Sequence, residues 1–161
     1  MNEKKTTLVL GIGNTLLTDE GVGVHVINRL QERFSQRQDV AFVDGGTLSF
    51  SLAGLLAEHA RLIVVDAART GGRPGSVVCY EASEMDRYLT GNRQSVHEVG
   101  LTDLLDIARL SEHYPEHRAL VGIEPESLEW GEQPSAAVAQ AIPQAVGKVI
   151  ELLDRWSGTP R

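Results

Sequence analysis

The run from Thr7 to Gly23 constrains the fold more than any other stretch of the chain. It reads Thr-Leu-Val-Leu-Gly-Ile-Gly-Asn-Thr-Leu-Leu-Thr-Asp-Glu-Gly-Val-Gly. Thr7 to Ile12 is short, mostly apolar and partly β-branched, the pattern of a strand covered on both faces. Gly11, Gly13 and Asn14 break the run and tolerate the positive φ of a tight turn. Thr18 is placed to cap a helix, with Asp19 and Glu20 in its first turn, where the dipole favours negative charge. Strand, turn and helix in that order set two acids at the carboxyl end of a strand. In an open α/β sheet, ligands bind at that edge.

Further along, Val22, Val26, Ile27, Leu30 and Phe34 recur at helical spacing. Asp39 to Val43 reads as a second strand, ending in Asp44-Gly45-Gly46-Thr47. Leu52, Ala53, Leu55 and Leu56 suit a short helix capped by Ser49 or Thr47. Arg61 to Asp66 is a third strand. A turn cluster, Thr70 to Gly75, then leads into Ser76 to Tyr80. A parallel crossover needs about a dozen residues or more. This link is shorter, so the fourth strand is expected to run antiparallel at the sheet edge. Residues from about Ser83 to Arg93 carry the chain back. Ser95-Val96-His97-Glu98 is a capping-box pattern, and Leu101, Leu104, Leu105 and Ala108 give the helix after it an apolar face. Arg118 to Ile123 is the fifth strand and runs into Glu124-Pro125-Glu126-Ser127. Ser135 to Trp156 is helical, with Pro143 expected to kink or divide it. Strands alternating with helices through right-handed crossovers predict a three-layer α/β/α sandwich, one domain over residues 1–161.

Three side chains far apart in sequence land on the carboxyl edge of such a sheet. Glu20 lies just past the first strand, Asp66 ends the third, and His97 opens the helix that returns to that edge. Two carboxylates and an imidazole suit a divalent transition metal with open coordination positions. Each residue also has a plainer reading. Glu20 complements a helix dipole, Asp66 closes a loop, and His97 is a first-turn helix residue. The shared edge, not any one residue, favours the ligand reading. Asp44-Gly45-Gly46-Thr47 lies there too, and its glycines let backbone approach a ligand or simply shape a turn. Asn14 orients a ligand or closes its own turn.

Competing motifs fail. Gly11-Ile12-Gly13 starts a dinucleotide fingerprint, but Leu16 stands at the third glycine position. His97-Glu98 starts a zincin helix, but Leu101 stands at its second histidine. No nucleophile elbow or phosphate-binding lysine loop is present. His113 and His117 flank a loop and read as surface residues. The net charge of −7 argues against nucleic acid and anionic membranes as partners. The single cysteine, Cys79, rules out an internal disulfide and reads as mid-strand packing. With no signal peptide or membrane-spanning run expected, the location expected is cytoplasmic.

Gly11-Ile12-Gly13-Asn14-Thr15-Leu16-Leu17-Thr18-Asp19-Glu20-Gly21-Val22-Gly23 resembles the signature of the nickel–iron hydrogenase maturation endopeptidases. The likeness continues through Asp44-Gly45-Gly46-Thr47, Val65-Asp66-Ala67, Ser95-Val96-His97-Glu98-Val99-Gly100-Leu101 and Gly122-Ile123-Glu124-Pro125-Glu126-Ser127-Leu128. It therefore covers nearly the whole chain in the same order. The resemblance implies a cytoplasmic protease that trims the C-terminal tail of the hydrogenase large-subunit precursor once nickel is in place. It implies a phosphorylase/hydrolase-like, five-stranded mixed sheet of order 2-1-3-5-4 with strand 4 antiparallel. The family's metal-contacting Glu, Asp and His match Glu20, Asp66 and His97. Nickel is expected to arrive in the substrate, with zinc or cadmium able to occupy the same site in vitro. Under this reading Asp44 is the candidate catalytic residue, and Asn14, Gly45, Gly46 and Thr47 position the substrate. Val96 stands where relatives can carry Pro, and Glu124 where the residue varies; neither is a proposed ligand. The expected partner is the large-subunit precursor. The alternative is a non-enzymatic nickel-binding maturation chaperone using the same three ligands.

Overall fold

A computed structural model describes residues 7–46, 52–91 and 96–157, of which 96–100 are described as backbone alone. Five strands form one sheet: β1 (Thr7–Ile12), β2 (Val40–Gly46), β3 (Arg61–Ala67), β4 (Val77–Glu81) and β5 (His117–Ile123). Their order is β2-β1-β3-β5-β4. The first four neighbours in that order are parallel, and β4 pairs antiparallel to β5. Both the order and the reversed edge strand are those expected.

The strands alternate between two cores. Val9, Ile63, Val65, Val121 and Ile123 face one side of the sheet. There they meet Val22, Val26, Ile27 and Leu30 of α1 (Val22–Arg33) and the apolar stripe of α5 (Ala136–Trp156). Leu8, Leu10, Ile12, Leu62, Val64 and Leu120 face the other side. They pack with α2 (Leu52–Ala57), α3 (Ser83–Gly91) and α4 (Val96–Leu110) through Leu56, Met85, Leu89, Leu101, Leu104 and Leu105. Each fully buried Leu or Ile contributes about 1.5–3 kcal/mol relative to exposure. Because both faces are covered, the central strands read as continuous apolar runs, and that is why they were visible in the sequence.

The link from β3 to β4 passes over β5, and a buried carboxylate organises it. Glu124, which follows β5, accepts hydrogen bonds from Thr70 N–H (2.8 Å), Thr70 Oγ (2.9 Å) and Gly72 N–H (3.0 Å). Its own backbone pairs with Ser76 O and Gly75 N–H. A glycine-rich link crossing a sheet end has backbone donors that need acceptors, and Glu124 supplies them.

Three local expectations are modified. The return segment after β4 contains a helix, α3, whose Met85 and Leu89 join the core. Pro143 lies inside an unbroken α5 and neither divides nor ends it. Ala141, Ile142, Ala145 and Val146 are buried on either side of it, and that packing holds the helix through the missing N–H. Finally, α5 has the length and apolarity of a membrane span, with mean hydropathy 1.2 over its best window. Its stripe from Val138 to Trp156 is buried against the sheet instead. The caps expected from Ser49, Thr47 and Ser95 lie outside the described residues.

Candidate functional site

The signature run is folded by close approach of backbone to backbone. Gly11 of β1 pairs with Asp44 of β2 and Val65 of β3. A Cβ on Gly23, in the first turn of α1, would collide with Val65 O and would lie 2.5 Å from Ile12 O. Only glycine lets α1 begin directly over the carboxyl ends of β1 and β3. Gly13 has φ +140°, and a Cβ there would run into Glu20 O. This contact draws Glu20 back onto the exit of β1. Between them, a 3₁₀ turn (Thr18–Gly21) packs against β3.

Within this loop the polar residues divide by role. Asn14 Oδ1 accepts from Leu16 N–H at 2.9 Å, and Asn14 O accepts from Leu17 N–H at 3.1 Å. Asn14 therefore closes its turn. Thr18 is not the expected helix cap. Leu17 occupies the cap of the 3₁₀ turn with no side-chain bond. Thr18 itself sits at φ 46°, held there by its N–H to Gly131 O (2.7 Å) and its hydroxyl to Ser127 O (2.6 Å).

Asp19 and Glu20 are neighbours with different fates. Asp19 is fully buried. Its carboxylate accepts from the N–H groups of Glu126 (2.8 Å), Ser127 (2.9 Å) and Ser135 (2.7 Å) and from Ser135 Oγ (2.8 Å). Burial by itself raises the Asp19 carboxyl, but the bonds from Ser127, Ser135 and Glu126 outweigh it and hold the pKa below its usual value. Ser135 is also the N-cap of α5, its Oγ accepting from Val138 N–H. One carboxylate thus ties the signature loop to the segment after β5 and to the start of α5. Glu20, one residue on, is half-buried.

Asp66 lies near the end of β3, paired with Gly122 of β5, and is 6% exposed. Its Oδ1 accepts from Ala67 N–H at 2.8 Å. Asp44 lies near the end of β2 beside Gly11 and is exposed, with Oδ1 accepting from Gly46 N–H at 2.8 Å. Gly46, at φ 47°, accepts from Gly13 N–H at 3.0 Å, and Gly45 lies over Leu10. Glu20, Asp44, Gly45, Gly46 and Asp66 therefore share the carboxyl edge. The backbone of His97 lies in the first turn of α4. The short link from α4 into β5 puts the other end of that helix at the amino edge. The His97 side chain and all of Thr47 lie outside the described residues. Among the described residues no group of three His, Cys, Asp or Glu side chains is placed to hold a metal ion.

Other titratable groups are accounted for. Cys79, half-buried in β4, has its thiol pushed up to about 11 by burial and by the charge of Glu81, which disfavours the thiolate that a nucleophile needs. His113 and His117 are exposed at the amino edge, His117 with its ring against Trp156. Burial pushes the His25 imidazole down, which keeps it neutral. Sequence reasoning missed Asp19 and Glu124 as organising groups. Neither carries a local signal, because the N–H donors each one accepts lie more than fifty residues away along the chain.

Known proteins share this fold. The family model described as hydrogenase maturation protease matches residues 24–152. The hydrogenase expression/formation protein HupD of Rhizobium leguminosarum bv. viciae is 37% identical over 150 residues, covering 92% of this chain and 74% of that protein. The hydrogenase 2 maturation protease of Escherichia coli is 37% identical over 152 residues, covering 94% of this chain and 92% of that protein. Among solved structures, the hydrogenase maturating endopeptidase HybD from E. coli superimposes with a TM-score of 0.88 at 36% identity, covering 95% of this chain and 94% of that one. The [NiFe] hydrogenase maturation protease HybD from Thermococcus kodakarensis gives a TM-score of 0.78 at 27% identity over 91% of this chain and 98% of that one. The fold, the ordered motifs and these relatives agree: the chain belongs to the hydrogenase maturation protease family, and it is a peptidase.

Proposed function

We propose that this peptidase removes the C-terminal tail of a nickel–iron hydrogenase large-subunit precursor after nickel insertion. In this reading Glu20, Asp66 and His97 complete the coordination of the substrate's nickel. The observation that carries the proposal is the seating of the 3₁₀ turn with Glu20 on β3, whose end bears Asp66, at the edge where α4 begins with His97. Two acids at one edge suit a cationic centre. His97 serves as a ligand in its neutral form, and a helix N-terminus disfavours the imidazolium.

The substrate's nickel supplies Lewis acidity, available to polarise the scissile carbonyl or to activate a bound water. The chain's own contribution is placement. Asp44 is the candidate catalytic residue, positioning the scissile peptide or a water. Asn14, Gly45, Gly46 and Thr47 are the candidate substrate-positioning residues. Because the metal travels with the substrate, cleavage depends on nickel having been inserted. The peptidase assignment disfavours the chaperone alternative, which would leave the tail attached. Both act in the cytoplasm, where the precursor is expected to be processed.

The test is the mass of the precursor before and after addition of the pure protein, with and without nickel. Loss of the tail only from the nickel-loaded form is expected. His97→Ala and Glu20→Ala are expected to abolish cleavage, by at least about a hundredfold, while circular dichroism stays that of the folded chain. Normal processing by either variant, or equal processing of nickel-free precursor, overturns the assignment.

A further inference from the structure

The segment after β5 is tightly held and yet displays its largest side chain to solvent. Asp19 accepts from Glu126 and Ser127, and Thr18 Oγ donates to Ser127 O with Glu129 O only 3.1 Å away. Leu17 and Gly131 form a parallel bridge, with Thr18 N–H on Gly131 O and Gly131 N–H on Leu16 O at 2.8 Å. Ser127 Oγ accepts from Glu129 N–H at 3.3 Å. Against this ordered backbone Trp130 is 80% exposed, Leu16 50% and Leu128 38%. The bridge sets Leu16 and Trp130 side by side. Glu126, Glu129 and Glu132, all exposed, are interleaved with Leu128 and Trp130 along the segment.

Folding alone gives no reason for this. A tryptophan has about 150–250 Å² to bury, and an ordered loop could have turned it inward. An apolar centre with a polar rim, presented on backbone that is already fixed, is the anatomy of a recognition surface. Tryptophan is over-represented among the residues that dominate binding, and pre-ordering lowers the entropic cost of association. The exposed charges on this segment are acidic, so their complement is basic.

We infer that Leu16, Leu128 and Trp130 form a docking surface for the polypeptide substrate, and that it takes an apolar side chain flanked by lysine or arginine. The surface is continuous with the candidate site. Leu17, the bridge partner of Gly131, also accepts the N–H of Glu20 at 3.0 Å. A segment seated on Trp130 is thereby held one turn of chain from Glu20, which orients the scissile peptide before any metal contact forms. This inference rests on the reading that the substrate is the hydrogenase large-subunit precursor.

The test separates the two. Binding of labelled, nickel-loaded precursor to the full chain is measured by fluorescence anisotropy, and cleavage is measured separately by mass. Trp130→Ala is expected to weaken binding about tenfold and to raise KM in step, with kcat within about twofold. Glu129→Gln with Glu132→Gln is expected to weaken binding severalfold and to flatten its salt dependence. Equal affinity for the wild type and Trp130→Ala, or no binding by the wild type, overturns the docking surface. So does concentration-dependent self-association in sedimentation that Trp130→Ala abolishes, since the occupant would then be a second copy. Tight, Trp130-dependent binding without cleavage upholds the docking surface and sinks the proposed function instead.

Discussion

Asp19 at the carboxyl edge of the sheet and Asp86 at its amino edge are both carboxylates recruited to hold distant segments together, but their donors differ. Asp19 is fully buried and satisfied by three backbone N–H groups and one hydroxyl. Asp86 of α3 is about a quarter exposed and faces a cation: Arg118 of β5 donates to both its oxygens, and Tyr114 Oη–H donates to Oδ1. The Tyr114 ring is in turn flanked by Arg118 at 4.2 Å and Arg109 at 4.5 Å. Burial raises the Asp86 carboxyl, but the bonds from Arg118 and Tyr114 outweigh it, so it too lies below its usual range. The amino edge is locked by a charge pair. The carboxyl edge is clasped by dipoles that carry no net charge. A clasp of N–H dipoles adds no net charge to the edge that carries Glu20, Asp66 and Asp44, whereas a guanidinium there would add one.

Removing each carboxylate breaks the comparison most directly. Asp19→Ala leaves three N–H groups and the Ser135 hydroxyl without their acceptor. It is expected to cost about 3 kcal/mol in urea unfolding and to abolish precursor cleavage even in the folded fraction. A loss under about 1 kcal/mol would mean that the segments are held by something else. Asp86→Ala breaks the other lock and is expected to cost about 2 kcal/mol, with cleavage per folded molecule unchanged. A fall in kcat there would show that the two edges are coupled.

The smallest effect is on pH dependence. Both carboxyls have folded pKa values below their unfolded value of about 3.9. Their contribution is therefore complete above that value and is lost as pH falls through the lower folded values. The wild type is expected to lose stability steeply below about pH 4, and each alanine variant to show a shallower acid limb. An unchanged limb in Asp19→Ala would remove the clasp from the account of acid unfolding.

Much of this was legible before folding. Strands buried on both faces announce themselves as apolar runs, and the shortness of the Ala68–Ser76 link dictated the reversal of β4. The same reading put Glu20 and Asp66 at one edge. It failed where a local rule met a distant partner. Thr18 has the chemistry of a cap, but Ser127 O takes its hydroxyl. Pro143 has the chemistry of a break, but the packing around Ile142 and Ala145 keeps α5 whole. Asp19 and Glu20 looked alike as first-turn acids, and nothing nearby in sequence distinguishes them.

By itself, then, the chain's pattern determined element type, strand direction and the edge on which acids collect, because periodicity and link length act over a few residues. Only the tertiary structure decided that Asp19 is consumed by the scaffold, and that Trp130 is displayed and not buried. Those outcomes depend on hydrogen bonds between Thr18 or Asp19 and residues 126–135, and no local pattern encodes a partner so far along the chain.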